Sequence, residues 1–588
     1  MPAYSPPIAD YRFLFQEVLC LDKTLPSLFR ELELDAELLL SVLEEAGKFC
    51  RDVLQPLNAL GDEQGCKLAD GAVITPPGFA EAYRAFVEAG WSSVSAPSAF
   101  GGQGLPRVLQ QALDEMACAC NLSFGLFSGL TRGAIETIDR HASDELRKVY
   151  LPRMVSGEWT GVMALTESTA GTDLGLLKSE AEPLDEKRYA ISGSKIFISS
   201  GDHDFGGNIV HLVLARLTGA PAGVRGISLF LVPKFIPDSN GEPGERNRIS
   251  IGGLEQKMGI HAQPTCTIHY EGAIGWLVGE PNRGLNAMFT MMNAERLYVG
   301  VQGLGLSEAA YQAAAVYARE RLQGRSKNSG PRPVRIVEHP DVRRMLLSIR
   351  AFVESARALG SWVALQMDIA AGHPDLGERK SAEALVGLLT PVVKGAFTDF
   401  GFKSTVLAQQ VFGGLGYVRA VGVEQFVRDA RITQIYEGTN GVQALDLASR
   451  KLLQEDGFLA HRFFALVARD LEGASERGYC RGVVEPVQAA LERLREQTVR
   501  LQSLINDPTE IGAAATAYLE LFALVSLGWM WVKLVDAAAG SLSAAAVVRS
   551  KRAVAQFFVD HMLPRTISLA ASVEAGANAT MALESSAF

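Results

Sequence analysis

This chain lacks most of the short motifs that announce a chemistry. Its seven cysteines, Cys20, Cys50, Cys66, Cys118, Cys120, Cys266 and Cys480, are odd in number and scattered. They form no CxxC pair and no disulfide framework, so a reducing compartment is expected. The nine histidines make no HxxxH or HExxH pattern, which removes the common metal spacings. There is no GxGxxG or Walker loop for a nucleotide, and no GxSxG elbow for a nucleophilic serine. Long Lys/Arg runs are missing and the net charge is −10, which argues against a nucleic-acid partner. No apolar run reaches membrane-spanning length. The longest candidate, Leu521 to Val532, is closed off by Glu520 and Lys533 and reads first as a buried helix, second as an interfacial one. The opening Met1-Pro2-Ala3-Tyr4 lacks the basic-then-apolar pattern of a signal peptide. The expected location is cytoplasmic, at most peripheral to the inner membrane face.

What is present is bulk. At 588 residues, 48% apolar and 21% charged, the chain is too long for one core and predicts two or more domains. Residues 1–35 read as an arm with one short helix. Over 36–160 apolar residues recur at helical spacing, as in Leu38, Val42, Ala46 and Phe49, and His141 to Leu151 reads as a helix ended by Pro152. The texture then changes. Lys195-Ile196-Phe197-Ile198, Ile209 to Ala215 and Ile227 to Val232 are short, β-branched and separated by Gly, Pro, Asn and Asp clusters, which predicts a β domain over 161–280. Helical periods return over 281–454, with a loop from Asn328 to Pro333. An Ala/Leu-rich tail, 455–588, predicts one further helical unit.

Six segments hold residue types suited to chemistry. In Gln434-Ile435-Tyr436-Glu437-Gly438-Thr439-Asn440 a carboxylate lies among apolar and aromatic neighbours, and the next glycine lets the backbone approach a ligand. Lost solvation would raise the Glu437 pKa and make it a better base near neutral pH; the alternative is a helix-end glutamate paired with Arg428 or Arg431. The stretch from Met163 to Gly175 alternates hydroxyls with Gly171 and can offer donors to phosphate, or it is a Ser/Thr-rich turn. In Lys195 to Ser199, strand geometry puts Phe197 and Ser199 on one face, an aromatic and a hydroxyl suited to a flat heterocycle or to an ordinary strand. On a helix, Glu295 shares an apolar face with Met291, Met292, Tyr298 and Val299 and needs a partner; the neighbouring Arg296 could bind an anion. Arg319 to Ser326 gathers three arginines with Gln323 and Gly324, suited to phosphate or to a solvated helix end. Gln409 to Tyr417 contains the glycine-rich break Gly413-Gly414-Leu415-Gly416, a close-approach site or a connector.

In identity, order and spacing, these segments resemble the acyl-CoA dehydrogenase family over about residues 36–453. Leu165-Thr166-Glu167 with Gly171-Thr172-Asp173 resembles the family's flavin signature, and Gln410-Val411-Phe412-Gly413-Gly414 with Ile435-Tyr436-Glu437-Gly438-Thr439 its second signature. The arm and tail resemble the long branch, which includes very-long-chain-type and methylthiopropanoyl-CoA enzymes. The resemblance implies an α+β, mostly α fold: an N-terminal helical domain, a small central β-barrel-like domain, a C-terminal four-helix bundle and an additional C-terminal helical domain. It also implies FAD, an acyl-CoA substrate, α,β-dehydrogenation to the trans-2-enoyl-CoA, and electron-transferring flavoprotein as acceptor.

Residue by residue, the resemblance makes Glu437 the base, with Glu295 the runner-up, since a minority branch keeps its base there. The Glu437 backbone N–H would help hold the thioester oxygen. Met163, Leu165, Thr166, Gly171 and Thr172 would line the flavin, and Phe197 and Ser199 would flank its ring. Arg321 and Gln323 would reach the cofactor of a neighbouring subunit, which implies a homodimer or a dimer of dimers. Gln410, Gly413, Gly414 and Thr439 would hold the ADP and diphosphate parts. Thr172, Asn293, Arg296, Tyr436 and Gly438 would contact the substrate. Gly324 departs from the pattern, because many relatives carry an aromatic residue there. A medium to long acyl chain is expected, with a short thioether acyl-CoA as the alternative. An acyl-CoA oxidase, or a non-catalytic DNA-associated flavoprotein of the same fold, are the competing classes.

Overall fold

The β-branched runs form strands and the apolar 3.6-residue repeats on either side form helices, in a computed structural model that describes residues 3–325, 330, 332–540 and 545–588. Ser326 of the arginine segment lies outside the described residues, as does part of the loop expected from Asn328 to Pro333. The chain is α+β and mostly α. Its residues form two compact units. One comprises Met1–Lys48, Arg107–Ala119 and Val299–Phe588; the other comprises Phe49–Pro106 and Cys120–Tyr298.

The second unit holds the strands. After a hairpin of β1 (Lys67–Ala69) and β2 (Ala72–Ile74) come β3 (Trp159–Ala164), β4 (Glu180–Pro183), β5 (Arg188–Ser199), β6 (Asn208–Leu217) and β7 (Ile227–Pro233). A small hairpin of β8 (Phe235–Pro237) and β9 (Pro243–Arg246) precedes β10 (Ile249–Leu254) and β11 (Thr265–Val278). Strand β11 pairs with β5, β5 with β4, β4 with β6, β6 with β7, and β7 again with β11, so five strands close a ring. Within the ring each strand has a neighbour on both sides, while β10, on β11, and β3, on β6, extend the sheet beyond it. Strand β6 shows why it must alternate: Val210, Leu212 and Leu214 enter one core with Ile138, Met154 and Met291, while Ile209, Val213 and Ala215 enter another with Phe230 and Ile268.

The helix expected from His141 to Leu151 is in fact the junction of two, Leu122–His141 and Asp144–Val155. Ser143 begins the second by accepting the Leu146 N–H at 3.4 Å. Pro152 lies inside that helix rather than ending it, because the hydrogen bond it forfeits falls in the final turn.

The first unit is helical, and its C-terminal tail packs as helices Phe458–Arg477, Arg481–Ser503, Pro508–Gly540, Ala545–Phe557 and Arg565–Glu574. Contrary to the expectation from sequence, some segments reach membrane-spanning length. By length and composition two helices qualify, in Leu376–Tyr417 and Pro508–Gly540, but 78% and 72% of their most apolar windows are buried inside the protein. They are core helices.

A buried charge network ties the ends of the chain to this unit. Arg357 donates to Glu115 from Nη2 at 2.6 Å and Nε at 3.0 Å, to Glu308 at 2.8 Å and to Asp10 at 3.2 Å. The Tyr11 hydroxyl completes Glu115. Lys551, from the tail, donates to Glu354 at 2.6 Å and to Asp10 at 3.1 Å. Asp10 in the arm helix Ile8–Phe13 therefore serves cations from Pro340–Gly372 and from the tail at once.

Candidate active site

In the second unit the flavin-signature segment leaves β3 at Ala164. Met163 is buried, Leu165 and Thr166 are half-buried, and Gly171 and Thr172 are exposed. Glu167, whose role the sequence reading left open, is the anchor of this loop. Its buried carboxylate accepts the Lys178 N–H at 2.6 Å, the Ser179 N–H at 3.0 Å, the Ser179 hydroxyl at 2.6 Å and Lys195 Nζ at 2.8 Å. Burial opposes ionisation here, but Lys195 and the hydrogen bonds outweigh it and hold the carboxyl below the usual range.

Strand β5 does not alternate evenly past Lys195. Its pairing with β11 slips between Cys266 and Ile268, so Ile196 and Phe197 together oppose one residue. Phe197 takes a left-handed φ of 58° and is 58% exposed. A bulge that turns a large aromatic ring outward has a cost, and such strain collects at functional sites. The half-buried Thr166 and Ser199 hydroxyls bond to no other protein group among the described residues.

The same unit contains Glu295, buried to 2% exposure on the helix Gly284–Glu320. It packs against Leu122–His141, where two glycines let the helices meet. A methyl at Gly133 would lie 2.9 Å from Met291 Cγ and 3.2 Å from Glu295 Oε1; one at Gly129 would lie 2.4 Å from Tyr298 Cε1. The Arg132 guanidinium lies 5.4 Å from the Tyr298 ring centroid. Arg296 donates to Asn293 Oδ1 at 3.3 Å, so these two form one polar group.

In the first unit Glu437 sits at the crest of a loop between helices Val423–Thr433 and Asn440–Asp446. The Asn440 N–H closes the loop onto the Gln434 carbonyl at 3.1 Å. The Asn440 side chain pins it to Leu376–Phe412, donating to Asp399 at 2.7 Å and Gly395 O at 3.1 Å and accepting from the buried Lys394 at 2.9 Å. Glu437 and Gly438 both take left-handed φ, 56° and 80°. Only the second is a glycine, so Glu437 is held in a conformation it would not choose. Glu437 is half-buried, Tyr436 is hydrogen-bonded to the buried Gln302, and the Thr439 hydroxyl caps the next helix by accepting the Val442 N–H at 3.3 Å. Arg428 is engaged by Glu424 on its own helix, and Arg431 by Gln434 at 3.3 Å.

Gln410, Gly413 and Gly414 are exposed where Leu376–Phe412 ends. A side chain at either glycine would meet nothing within 4 Å, so packing does not explain them. Arg321 and Gln323 are exposed on a strap in which Gln323 N–H bonds Val334 O and Ile336 N–H bonds Arg321 O, each at 2.9 Å. Gly324 has φ 73°, and a Cβ there would lie 2.9 Å from His339 Nε2, which accounts for the missing aromatic. Lys195, Gln302, Lys394 and Gln443 are buried polar side chains that no motif announces, and a polar residue on an inward face is the signal that points to them; Asn440 is half-buried.

The fold and the carboxylate on its strained loop fit an oxidoreductase acting on acyl-CoA, and the similarity to known proteins shows that class. The chain belongs to the acyl-CoA dehydrogenase family: it matches "Acyl-CoA dehydrogenase, N-terminal domain" over residues 39–158, the middle domain over 162–273, the C-terminal domain over 282–452, and "Acetyl-CoA dehydrogenase C-terminal like" over 463–584. It is 41% identical to the 3-methylmercaptopropionyl-CoA dehydrogenase of Ruegeria pomeroyi, over 91% of this chain and 92% of that one. It is 32% identical to the broad-specificity linear acyl-CoA dehydrogenase FadE5 of Mycobacterium tuberculosis, over 88% of each. Its fold is like that of ACDH-11 of Caenorhabditis elegans, solved in complex with C11-CoA, at a TM-score of 0.78 and 22% identity, over 96% of this chain and 92% of that one.

Proposed function

We propose that this protein is an FAD-dependent dehydrogenase of short acyl-CoA thioesters, including thioether-containing ones, with Glu437 as the base. The observation that carries the catalytic part is the pinned loop that presents Glu437 in a left-handed conformation. The α-proton of the thioester passes to a Glu437 carboxylate oxygen, and general-base catalysis of this kind is worth roughly 10²–10⁴-fold. FAD, when bound, supplies the acceptor for the β-hydrogen as hydride. The residues fit such a group: an outward-turned Phe197 ring with two unengaged hydroxyls suits a flat heterocycle, and the open backbone at Gly413 and Gly414 suits close approach by a nucleotide. The exposed Arg321 and Gln323 support a cofactor site completed by a second copy of the chain. Electron-transferring flavoprotein is the proposed acceptor.

Chain length rests on the helix pair in the second unit. Asn293 and Arg296 are the expected contacts for CoA, and on the same helix Met291, Glu295 and Tyr298 fill the space against Gly129 and Gly133. With CoA on Asn293 and Arg296, the buried Glu295 and the packed Tyr298 on the same helix support a short acyl chain over a long one. The substrate named for the Ruegeria pomeroyi relative agrees with this. The medium-to-long reading is favoured by the likeness to FadE5, whose name declares broad specificity.

A panel of acyl-CoAs of increasing length, with 3-methylthiopropanoyl-CoA included, tests both readings. Turnover should peak among the short substrates; a steady rise with length would sink the short-chain proposal. Glu437→Gln should abolish substrate bleaching of the flavin with FAD retained, and Glu295→Gln should leave bleaching in place. The reverse pattern would move the base to Glu295. Comparing oxygen with a ferricenium acceptor separates a dehydrogenase from an oxidase.

A further inference from the structure

Beside the loop of Glu437 lies a side chain with no part in the chemistry above. Gln443 is fully buried in the helix Asn440–Asp446, and its amide Nε2 donates to the carbonyls of both Glu437, at 3.2 Å, and Gly438, at 3.3 Å. Those are the carbonyls of the two left-handed residues. A single amide group is thus spent on the two peptide units whose orientation is least favourable to the chain.

We infer that Gln443 is a positioning residue for Glu437: by drawing both carbonyls inward it holds the strained turn that presents the carboxylate. This rests on Glu437 being the base. The geometry has a second consequence. In a planar trans peptide the carbonyl of one residue and the N–H of the next point in opposite directions. Pulling the carbonyls of Glu437 and Gly438 toward Gln443 therefore turns the N–H groups of Gly438 and Thr439 away from it. Neither N–H donates to another protein group among the described residues, so both are left turned away from Gln443 and available to a ligand. One buried amide thereby sets the direction of the base and of two adjacent donors. Without it, the turn can relax to right-handed conformations that Glu437 would prefer, and the carboxylate moves.

The test uses the FAD-loaded enzyme with its best short acyl-CoA. Gln443→Met keeps the length of the side chain and removes the donor. It should lower kcat by about 10²-fold, the scale of a misplacement near 1 Å, with KM and bound FAD little changed. Gln443→Glu can donate only when its carboxyl is protonated. Its kcat should fall as pH rises through that titration, a limb absent from the wild type and from the Met variant. Hydrogen exchange of the 436–440 amides should quicken in Gln443→Met, a readout independent of turnover. Wild-type kcat in both variants, with only a lower Tm, would overturn the inference. A wild type that is not bleached by any acyl-CoA would instead overturn the functional reading, and exchange at 436–440 would still decide whether Gln443 holds the turn.

Discussion

The short-chain proposal makes Tyr298 a test of substrate size. This residue fills the notch at Gly129 so closely that even a methyl there would overlap its ring. Tyr298→Ala should open a volume about the size of an aromatic side chain and shift the preferred acyl chain toward greater length, read as the ratio of kcat/KM for hexanoyl- and butyryl-CoA. An unchanged ratio would place the acyl chain elsewhere. Lys195 is a second residue with a sharp consequence. Lys195→Met leaves the Glu167 carboxylate buried without its cation, which costs about 3–5 kcal/mol when such a pair is broken. Adding Glu167→Gln should recover most of that loss, because a neutral amide needs no counter-charge. Urea denaturation of the two variants measures both effects. The sequence nominates Glu437 as the proposed base through the Tyr436-Glu437-Gly438-Thr439 signature of the family. It does not nominate Lys195 or Gln443, because a buried polar side chain is recognised only by the partner it meets across the fold.

Among the elements, the arm and the tail depend on one another through Asp10. Asp10→Asn removes the carboxylate that Lys551 and Arg357 share, while Lys551 keeps Glu354 and Arg357 keeps Glu115 and Glu308. The arm helix Ile8–Phe13 and the tail helix Ala545–Phe557 should then lose hydrogen-exchange protection together. Arg12→Gln, which breaks only exposed pairs to Glu37 and Glu44, should leave the tail unchanged. Loosening of the arm alone after Asp10→Asn would show that the link does not carry. Helices and strands of this chain were largely visible beforehand, since periods of 3.6 and 2 are written locally. The ring of five strands was not, since β7 returning to β11 is a pairing between residues far apart in sequence. The join at Ala142 and Ser143 was missed because one capping hydroxyl, not a proline, divides the two helices.

For the whole molecule, two buried histidines of the second unit and one buried carboxyl of the first respond to pH with opposite sign. In the second unit, burial lowers His203 and His211 to about 4 from the ordinary 6.5. The folded form keeps them neutral while the unfolded chain takes up protons, so stability is full above about 6.5 and is lost as pH falls toward 4. In the first unit, burial raises Asp368 to about 7, against the pull of the Arg107 and Val108 N–H groups. The folded form keeps this proton after the unfolded chain has released it, so the contribution falls as pH rises from about 4 to 7. Protection factors in β6 should therefore drop between pH 6.5 and 4.5 more than those in Pro340–Gly372. Asp368→Asn should gain on the wild type between pH 5 and 8. Parallel loss of protection in both units would contradict these assignments.

The amino-acid sequence alone determined the family, with it the class of chemistry, and the alternation of helical and strand texture, because these reside in local patterns of residue type; it also nominated Glu437 as the proposed base. The tertiary structure alone decided that Glu167 is an anchor, that Asp10 joins arm to tail, that Phe197 turns out at a bulge and that Gln443 grips the Glu437 turn. Each of those depends on a buried polar or strained group finding its counterpart from another element, and burial is a property of the folded chain rather than of any stretch of it.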